Sequence, residues 1–113
     1  MAQSRLDTFA EMVKQQPDNE MIWYGLASEY VKIERWTEAA DALRNVLRIN
    51  SDYTAAYQML GTALMNAGQK EEAVSVWTQG IEVAQRTGAW KAQQHMEGLL
   101  AQTDERADAK FCE

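Results

Sequence analysis

The sequence predicts an all-helical fold built from repeated units, and two observations carry that prediction. Residues 20–53 and 54–87 form two copies of one pattern, offset by 34 residues. Within each copy, apolar residues recur at steps of three or four, the period of one helix face, and no segment shows the alternation of a strand. A fixed period of this length marks units that bury their apolar faces only against neighbouring units. Size class is kept at most of the equivalent pairs, which include Trp23 with Tyr57, Leu26 with Leu60, Ala27 with Gly61, Ala39 with Ala73, Leu43 with Trp77, and Val46 with Gly80.

Each copy predicts two amphipathic helices, A and then B, joined by a short turn. In the first copy Trp23, Leu26 and Tyr30 share one face of helix A, whereas Ala39 and Leu43 share one face of helix B. Large residues alternate with small ones along both stripes. Small residues let two helix axes approach closely, and large residues fill the space beside them.

Local chemistry predicts where the helices begin and end. Pro17 ends the first helix, because the residue before a proline avoids helical angles. Asp18 or Asn19 can cap the next helix, and Gly68 and Gly88 can take the left-handed angles that close helices. Thr37, and Ser51 or Asp52, are expected to cap the later helices. The predicted helices span about 4–16, 20–34, 37–49, 53–67, 70–86 and 89–103.

The repeat resembles the tetratricopeptide repeat family. That family's pattern places an aromatic residue, Leu-Gly and a second aromatic residue on helix A, then Ala, an aromatic residue and Ala on helix B. The second copy matches it with these residues: Tyr57, Leu60, Gly61, Leu64, Ala73, Trp77 and Gly80. The resemblance implies a right-handed α-solenoid of antiparallel helix pairs with about six helices.

The resemblance also implies how the single domain, residues 1–113, is divided. Its expected parts are an orphan B helix at 4–16, repeat 1 at 20–53, repeat 2 at 54–87, a capping helix at 88–103 and a flexible tail at 104–113. Two departures from the family pattern matter. Glu34 stands where the turn of the first repeat usually has glycine. A third copy would put Lys91, Gln94 and His95 where the family has an aromatic residue, Leu and Gly, so the repeat pattern ends there.

Composition excludes several classes of function. The chain has 17 acidic and 11 basic residues, a net charge of −6, which argues against nucleic-acid binding and more weakly against anionic membranes. No apolar run reaches the roughly 18 residues of a transmembrane helix. The start of the chain lacks an apolar signal core, and the single cysteine, Cys112, forbids an internal disulfide. These features lead us to expect a cytoplasmic protein.

No set of residues points to catalysis. His95, the only histidine, lacks an orienting carboxylate and a nucleophile, so we expect it on the surface. Cys112 has no second cysteine nearby and is expected to be an exposed thiol. Glu71 and Glu72 suit the positive end of a helix dipole. The sequence therefore predicts no catalytic residue, no metal site and no cofactor, and it favours a protein that is not an enzyme.

The resemblance implies a binding groove, because the family holds peptides or helices on the concave face formed by its A helices. The residues that match this face are Met21, Tyr24, Ser28, Val31, Lys32, Ala55, Gln58, Thr62, Met65 and Asn66. The alternative is that they form only a solvated helix face. Some family members clamp a carboxylate with Lys and Asn, but the matching positions here are Tyr24, Ser28 and Met59, which disfavours that ligand.

Two hypotheses for function follow. The first is a non-catalytic protein–protein interaction module, or scaffold, that binds a peptide or helix on the A-helix face, with Lys32 favouring an acidic group at one end of the ligand. The second is a homodimeric assembly module that associates through its repeat ends or its capping helix. Trp90 bears on the choice, because it either packs at the start of the last helix or is exposed for a partner.

Overall fold

Six α-helices form the chain in this computed structural model, which describes the backbone from residue 2 to 112 and side chains from 5 to 103. The helices are α1 (Ala2–Gln15), α2 (Glu20–Lys32), α3 (Trp36–Ile49), α4 (Thr54–Asn66), α5 (Lys70–Thr87) and α6 (Trp90–Cys112). No strand occurs in the described backbone, and the all-helical prediction is confirmed. The backbone at 104–112, where a tail was expected, continues α6 beyond its predicted end at 103. The side chains of that segment, including the thiol of Cys112, lie outside the described residues.

The helices stack in chain order, and one further contact skips a helix. Each helix packs on the next along the chain, from α1 through α6. In addition, α6 contacts α4, the A helix of the second repeat. Because α2 and α4 are the A helices of the two repeats, α6 occupies the place that the A helix of a third repeat would take. The capping helix therefore extends the A-helix face although its sequence has left the repeat pattern.

The same aromatic position fastens helix A to the preceding turn in both repeats. The indole nitrogen Nε1 of Trp23 donates a hydrogen bond to the carbonyl of Pro17 at 2.8 Å. The hydroxyl of Tyr57 donates to the carbonyl of Ser51, also at 2.8 Å. Each acceptor lies six residues before its donor, so the two bonds are equivalent. An aromatic residue with a polar tip can fill the core and satisfy this carbonyl together, which explains the choice of Trp and Tyr.

The turns use left-handed backbone angles at three places. Gly68 has φ 83° and Gly88 has φ 79°, as their predicted role requires. Glu34, one period before Gly68, has φ 58° and adopts the same conformation without glycine. Non-glycine residues populate that region at an energetic cost. The turn geometry of the first repeat is thus kept despite the substitution.

The predicted caps are only partly correct. Asn19 caps α2, its side chain accepting from the backbone nitrogen of Met21 at 3.1 Å. Thr37 does not cap α3, because that helix begins one residue earlier, at Trp36. Ser51 and Asp52 do not cap α4 either, since its N-cap position falls at Tyr53.

Two buried clusters form one continuous core along the stack. The first fills the space among α1 to α4, reaches Ala73 of α5, and includes Leu43 and Val46, both fully buried. The second joins α4, α5 and α6 around Tyr57, Trp77 and Met96. Met96 has 0% of its surface exposed, and Leu99 and Leu100 pack beside it partly buried. Met96 is the α6 residue of this cluster that is completely buried at the end of repeat 2.

Close helix contacts depend on glycine at two repeat positions. A methyl group at Gly61 would overlap the indole ring of Trp77, and one at Gly80 would lie 2.6 Å from the sulfur of Met96. In the first repeat the equivalents of Gly61 and Trp77 are Ala27 and Leu43, which are buried in the same cluster. In the second repeat a smaller residue on one helix is thus matched by a larger residue on the other.

None of the helices in the described part of the chain is both long and apolar enough to cross a bilayer.

Candidate functional site

A cavity of about 300 Å³ lies on the A-helix face between α2, α4 and α6. Its lining residues are Tyr24, Val31, Ala55, Gln58, Met59, Thr62 and His95. Five of the ten residues predicted for the groove line it: Tyr24, Val31, Ala55, Gln58 and Thr62. Met59 and His95 were not predicted to do so. The structure therefore brings half of the predicted face together in one concave site.

Tyr24 forms part of one wall of the cavity and is held by a second tyrosine. The ring of Tyr24 stacks on that of Tyr53, with centroids 5.2 Å apart and planes inclined by 30°. Tyr53 is the residue just before α4, so the stack ties α2 to the start of the next repeat. Burial, and then the neighbouring Tyr53, raises the pKa of the Tyr24 phenol above its usual value. The Tyr24 phenol is therefore uncharged at physiological pH.

The opposite wall joins α4 to the capping helix. The side-chain amide nitrogen of Gln58 lies 2.9 Å from Nδ1 of His95. In the neutral imidazole with its proton on Nε2, Nδ1 accepts this bond and leaves an N–H donor on the other edge of the ring. His95 is exposed, as expected of it, yet it lies at the cavity and not on a remote surface.

The register of α6 explains why His95 was missed. Counting one period from Thr62 gives Met96, which the repeat pattern would place on the groove face. In the structure Met96 instead points into the core, and His95 takes the groove position. One residue corresponds to a rotation of about 100° around a helix axis. The only available signal was the apolar stripe of Met96, Leu99 and Leu100, which must face the core and so turns His95 outward.

Three polar residues of the predicted face share one hydrogen-bonding arrangement. The hydroxyl of Ser28 donates to the carbonyl of Tyr24 at 3.1 Å, and that of Thr62 donates to the carbonyl of Gln58 at 3.1 Å. Asn66 donates from its amide to the carbonyl of Thr62 at 2.9 Å. Each side chain donates a hydrogen bond to a backbone carbonyl of its own helix, and its oxygen remains available as an acceptor. This edge of the face therefore offers acceptors to a ligand.

Lys32 is engaged within the protein. Its ammonium group lies 3.0 Å from Oε2 of Glu29, whose side chain is only 4% exposed. Arg5 approaches the same oxygen from α1 at 3.8 Å. Because a buried carboxylate needs a paired cation, Lys32 is held chiefly by its own helix. Glu29 was not singled out from the sequence, although Lys32 follows it by three residues.

The remaining predicted residues lie away from the cavity. Met21 is 70% exposed at the start of α2, and Met65 packs partly buried against the core. Asn66 is exposed near the end of α4. Five of the predicted groove residues therefore do not line the cavity: Met21, Ser28, Lys32, Met65 and Asn66.

The centre of this face carries little charge. The helix α4 contains no Asp, Glu, Lys or Arg between Thr54 and Asn66. Among the lining residues His95 is the only one of a basic type, and none is Asp or Glu. Among residues 5–103 no three His, Cys, Asp or Glu side chains gather in a way that could hold a metal ion. The arrangement suits hydrogen bonding and apolar contact.

Trp90 is exposed. Its surface is 60% accessible, and the ammonium of Lys91 lies 5.6 Å from its ring centroid. The interpretation of Trp90 as a packed residue at the start of α6 is therefore wrong, because the ring turns to solvent beside a lysine. This leaves a large apolar side chain at the end of the stack opposite α1.

We expect the protein to lose stability in alkali partly through Tyr24. Its pKa is raised in the folded state, so this contribution is fully present below the unfolded pKa of about 10 and is lost as pH rises through the folded pKa. The Tyr24→Phe variant has no phenol group at this position that could ionise. Between about pH 8 and pH 11 its melting temperature should fall less than that of the wild type. An equal fall in both proteins would show that Tyr24 does not contribute.

Comparisons with known proteins agree with this architecture. The family model described as "Tetratricopeptide repeat" matches residues 30–102. A TPR repeat-containing protein of Pseudomonas aeruginosa is 26% identical over 99 residues, which cover 88% of this chain and 94% of that protein.

Two solved structures share the fold over most of the chain. A protein of Bordetella parapertussis has a TM-score of 0.82 at 23% identity, covering 94% of this chain and 92% of its own. The TPR2B domain of yeast Sti1, solved as a complex with pHsp70, has a TM-score of 0.82 at 14% identity, covering 89% and 81%. At these identities the likeness is one of fold.

The family match spans well over half of the chain and includes the second repeat and most of the capping helix. Equivalent aromatic bonds, the helix order and the 34-residue offset all describe the same repeated unit. The chain belongs to the tetratricopeptide repeat family.

Proposed function

We propose that this protein is a non-catalytic binding module that holds a peptide or helix of a partner protein on its A-helix face. The observation that carries the proposal is the cavity shared by α2, α4 and α6, which combines an apolar wall with polar groups. Concave sites with mostly apolar walls and a few placed polar groups are typical of binding sites. The fold supports this use, since TPR2B of yeast Sti1 was solved in complex with pHsp70.

The chemistry of the face favours a particular kind of ligand segment. Ser28, Thr62 and Asn66 present acceptor oxygens, which suit the backbone N–H groups of an extended chain. The stacked Tyr24 beside Met59 suits one apolar side chain of the ligand. A neutral, apolar residue at the centre of the bound segment follows from the lack of charge on α4.

The groove pair Tyr24→Ala and Gln58→Ala tests the proposal. Peptides selected for binding to the wild type should bind this double variant about thirtyfold more weakly, a loss of roughly 2 kcal/mol. Aromatic anchors in the centre of an interface typically carry such a share. Binding is measured by calorimetry, with helicity and melting recorded for each protein.

A matched pair on the outer face provides the control. Gln79→Ala with Gln85→Ala removes two exposed side chains from α5, and affinity should stay within about twofold of the wild type. If the groove pair binds normally while Trp90→Ala abolishes binding, the concave face is not the site, and the exposed end of α6 takes its place.

The homodimer remains a second candidate because of exposed Trp90. An apolar ring at the end of a repeat stack invites self-association. Sedimentation of the wild type and Trp90→Ser over a concentration series, with reductant present for Cys112, separates the two functions. A dimer that Trp90→Ser abolishes would favour assembly through this end.

A further inference from the structure

A second cavity, of about 210 Å³, lies between α2 and α3 and shares no lining residue with the groove. Its lining residues are Trp23, Leu26, Tyr30, Glu38, Asp41, Ala42 and Asn45. Leu26 and Ala42 are buried and form its apolar floor. Trp23 and Tyr30 are half-buried walls, and two carboxylates stand at the rim. This combination of aromatic rings with acids differs from the uncharged groove.

In the second repeat, an arginine from the preceding helix approaches the carboxylate equivalent to Glu38. Glu72 lies one period after Glu38. Nη2 of Arg44, from the preceding helix α3, approaches Oε2 of Glu72 at 2.7 Å. The residue one period before Arg44 is Ala10, in α1. The helix α1 therefore brings no guanidinium to Glu38, although α3 brings one to Glu72.

The lining of the cavity suits a guanidinium. The plane of arginine stacks on aromatic faces and bonds carboxylates in a fork geometry. The indole of Trp23 is held in place by its bond to Pro17, so that wall is already fixed. The net charge of −6 favours the approach of a cationic partner.

We propose that this cavity binds an arginine side chain of a partner protein, with Trp23 and Tyr30 against the guanidinium plane and Glu38 and Asp41 as its carboxylate partners. The bound arginine takes the part that Arg44 plays toward Glu72. The site lies outside the A-helix groove, and the proposal for it does not depend on whether the groove binds a ligand.

Two local ion pairs compete for the rim carboxylates. Nη1 of Arg35 lies 3.0 Å from Glu38, and Nη1 of Arg44 lies 3.0 Å from Asp41. Both pairs join residues three apart on an exposed helix surface, where such pairs contribute little. At the position of Arg35 the second repeat has Gln69, so there Glu72 is left to the arginine of the neighbouring helix. Arg35→Gln should therefore raise the affinity of the site for arginine.

The probe is a blocked tripeptide, acetyl-Ala-Arg-Ala-amide, compared with the same peptide carrying citrulline, which has the shape of arginine without its charge. Amide and indole signals are followed by NMR in the full chain. The arginine peptide should shift the Trp23 indole signal saturably, and the citrulline peptide should bind at least fivefold more weakly. Equal binding of both peptides, or no saturable shift at Trp23, would overturn the proposal.

Variants assign the effect to the cavity. Glu38→Gln with Asp41→Asn should weaken the arginine peptide at least fivefold. Glu71→Gln with Glu82→Gln removes the same charge from exposed positions of α5 and should leave its affinity unchanged. If both pairs weaken it equally, the attraction comes from net charge and the cavity is not a site.

Ala10→Arg offers a test within the chain itself. Restoring the arginine that Arg44 provides in the next repeat should raise the melting temperature above that of Ala10→Gln. The gain should disappear when Glu38→Gln is added. A gain that survives Glu38→Gln would contradict the site. The wild type is also tested for self-association. If it self-associates and Glu38→Gln with Asp41→Asn abolishes this, the cavity is filled by a second copy of the chain, and the proposal of a different partner protein is wrong.

Discussion

Replacing Gly61 with alanine should lower the free energy of unfolding by about 2 kcal/mol. The added methyl group would overlap the indole of Trp77, a buried and rigid ring. Overpacking of this kind costs about 1–3 kcal/mol, and the upper end applies because the ring has little room to yield. Alanine recovers up to about 1 kcal/mol through its better helix propensity. Urea unfolding followed by circular dichroism measures the difference.

The first repeat suggests how this loss can be repaired. There the equivalent pair is Ala27 and Leu43, which packs fully buried. Adding Trp77→Leu to Gly61→Ala recreates that pair in the second repeat. The double variant should therefore lose at least about 1 kcal/mol less free energy of unfolding than the sum of the losses of the two single variants. Strict additivity would mean that the two positions do not trade size, and the repeat logic would fail there.

Gly98→Ala is the matched control for the glycine. Gly98 also lies inside a helix, but a methyl group there meets no atom within 4 Å. The change should stabilise the protein by up to about 1 kcal/mol through helix propensity alone. Opposite signs at Gly61 and Gly98 would separate packing from propensity. A loss at Gly98 like that at Gly61 would contradict the packing explanation.

The helical repeat was predictable because its causes are local. Trp23 and Tyr57 keep an aromatic residue at one position of a fixed period, and the structure gives both the same bond to the preceding turn. Gly68 and Gly88 take the left-handed angles that their sequence positions require. Such features need no knowledge of distant parts of the chain, since each depends on residues only a few positions away in the sequence.

The candidate groove was predictable only where the period continued. Tyr24 and Gln58 are one period apart, and both line the cavity. His95 was missed because α6 is rotated relative to the period, which is decided by the fit of Met96 against the second repeat. The pairing of Lys32 with Glu29 was missed because burial of that carboxylate depends on α1.

Met96→Ala should lower the free energy of unfolding by about 3 kcal/mol. Methionine to alanine in a closed core typically costs about 2–5 kcal/mol, since apolar contact is lost and a cavity remains. Met96 is completely buried, and its sulfur lies where a methyl on Gly80 would meet it. Leu99 is only partly buried, so Leu99→Ala should cost less than Met96→Ala.

Met21→Ala is the control, because this methionine is 70% exposed. The same substitution there should change stability by less than about 0.5 kcal/mol. Equal losses at Met21 and Met96 would contradict the role of Met96 as the covering residue of repeat 2.

The consequence of Met96→Ala should also reach the groove. Met96, which packs into the core, and His95, which lines the cavity, are adjacent in α6. The fit of Met96 therefore sets the rotation of α6 that brings His95 to Gln58. In the variant, the NMR signals of the Gln58 side-chain amide should move even where the chain remains fully folded. If Met96→Ala lowers stability but leaves the Gln58 amide unchanged, the cap and the groove are independent. A shift at Gln58 would mean that a helix outside the repeat pattern completes the concave face through one core residue.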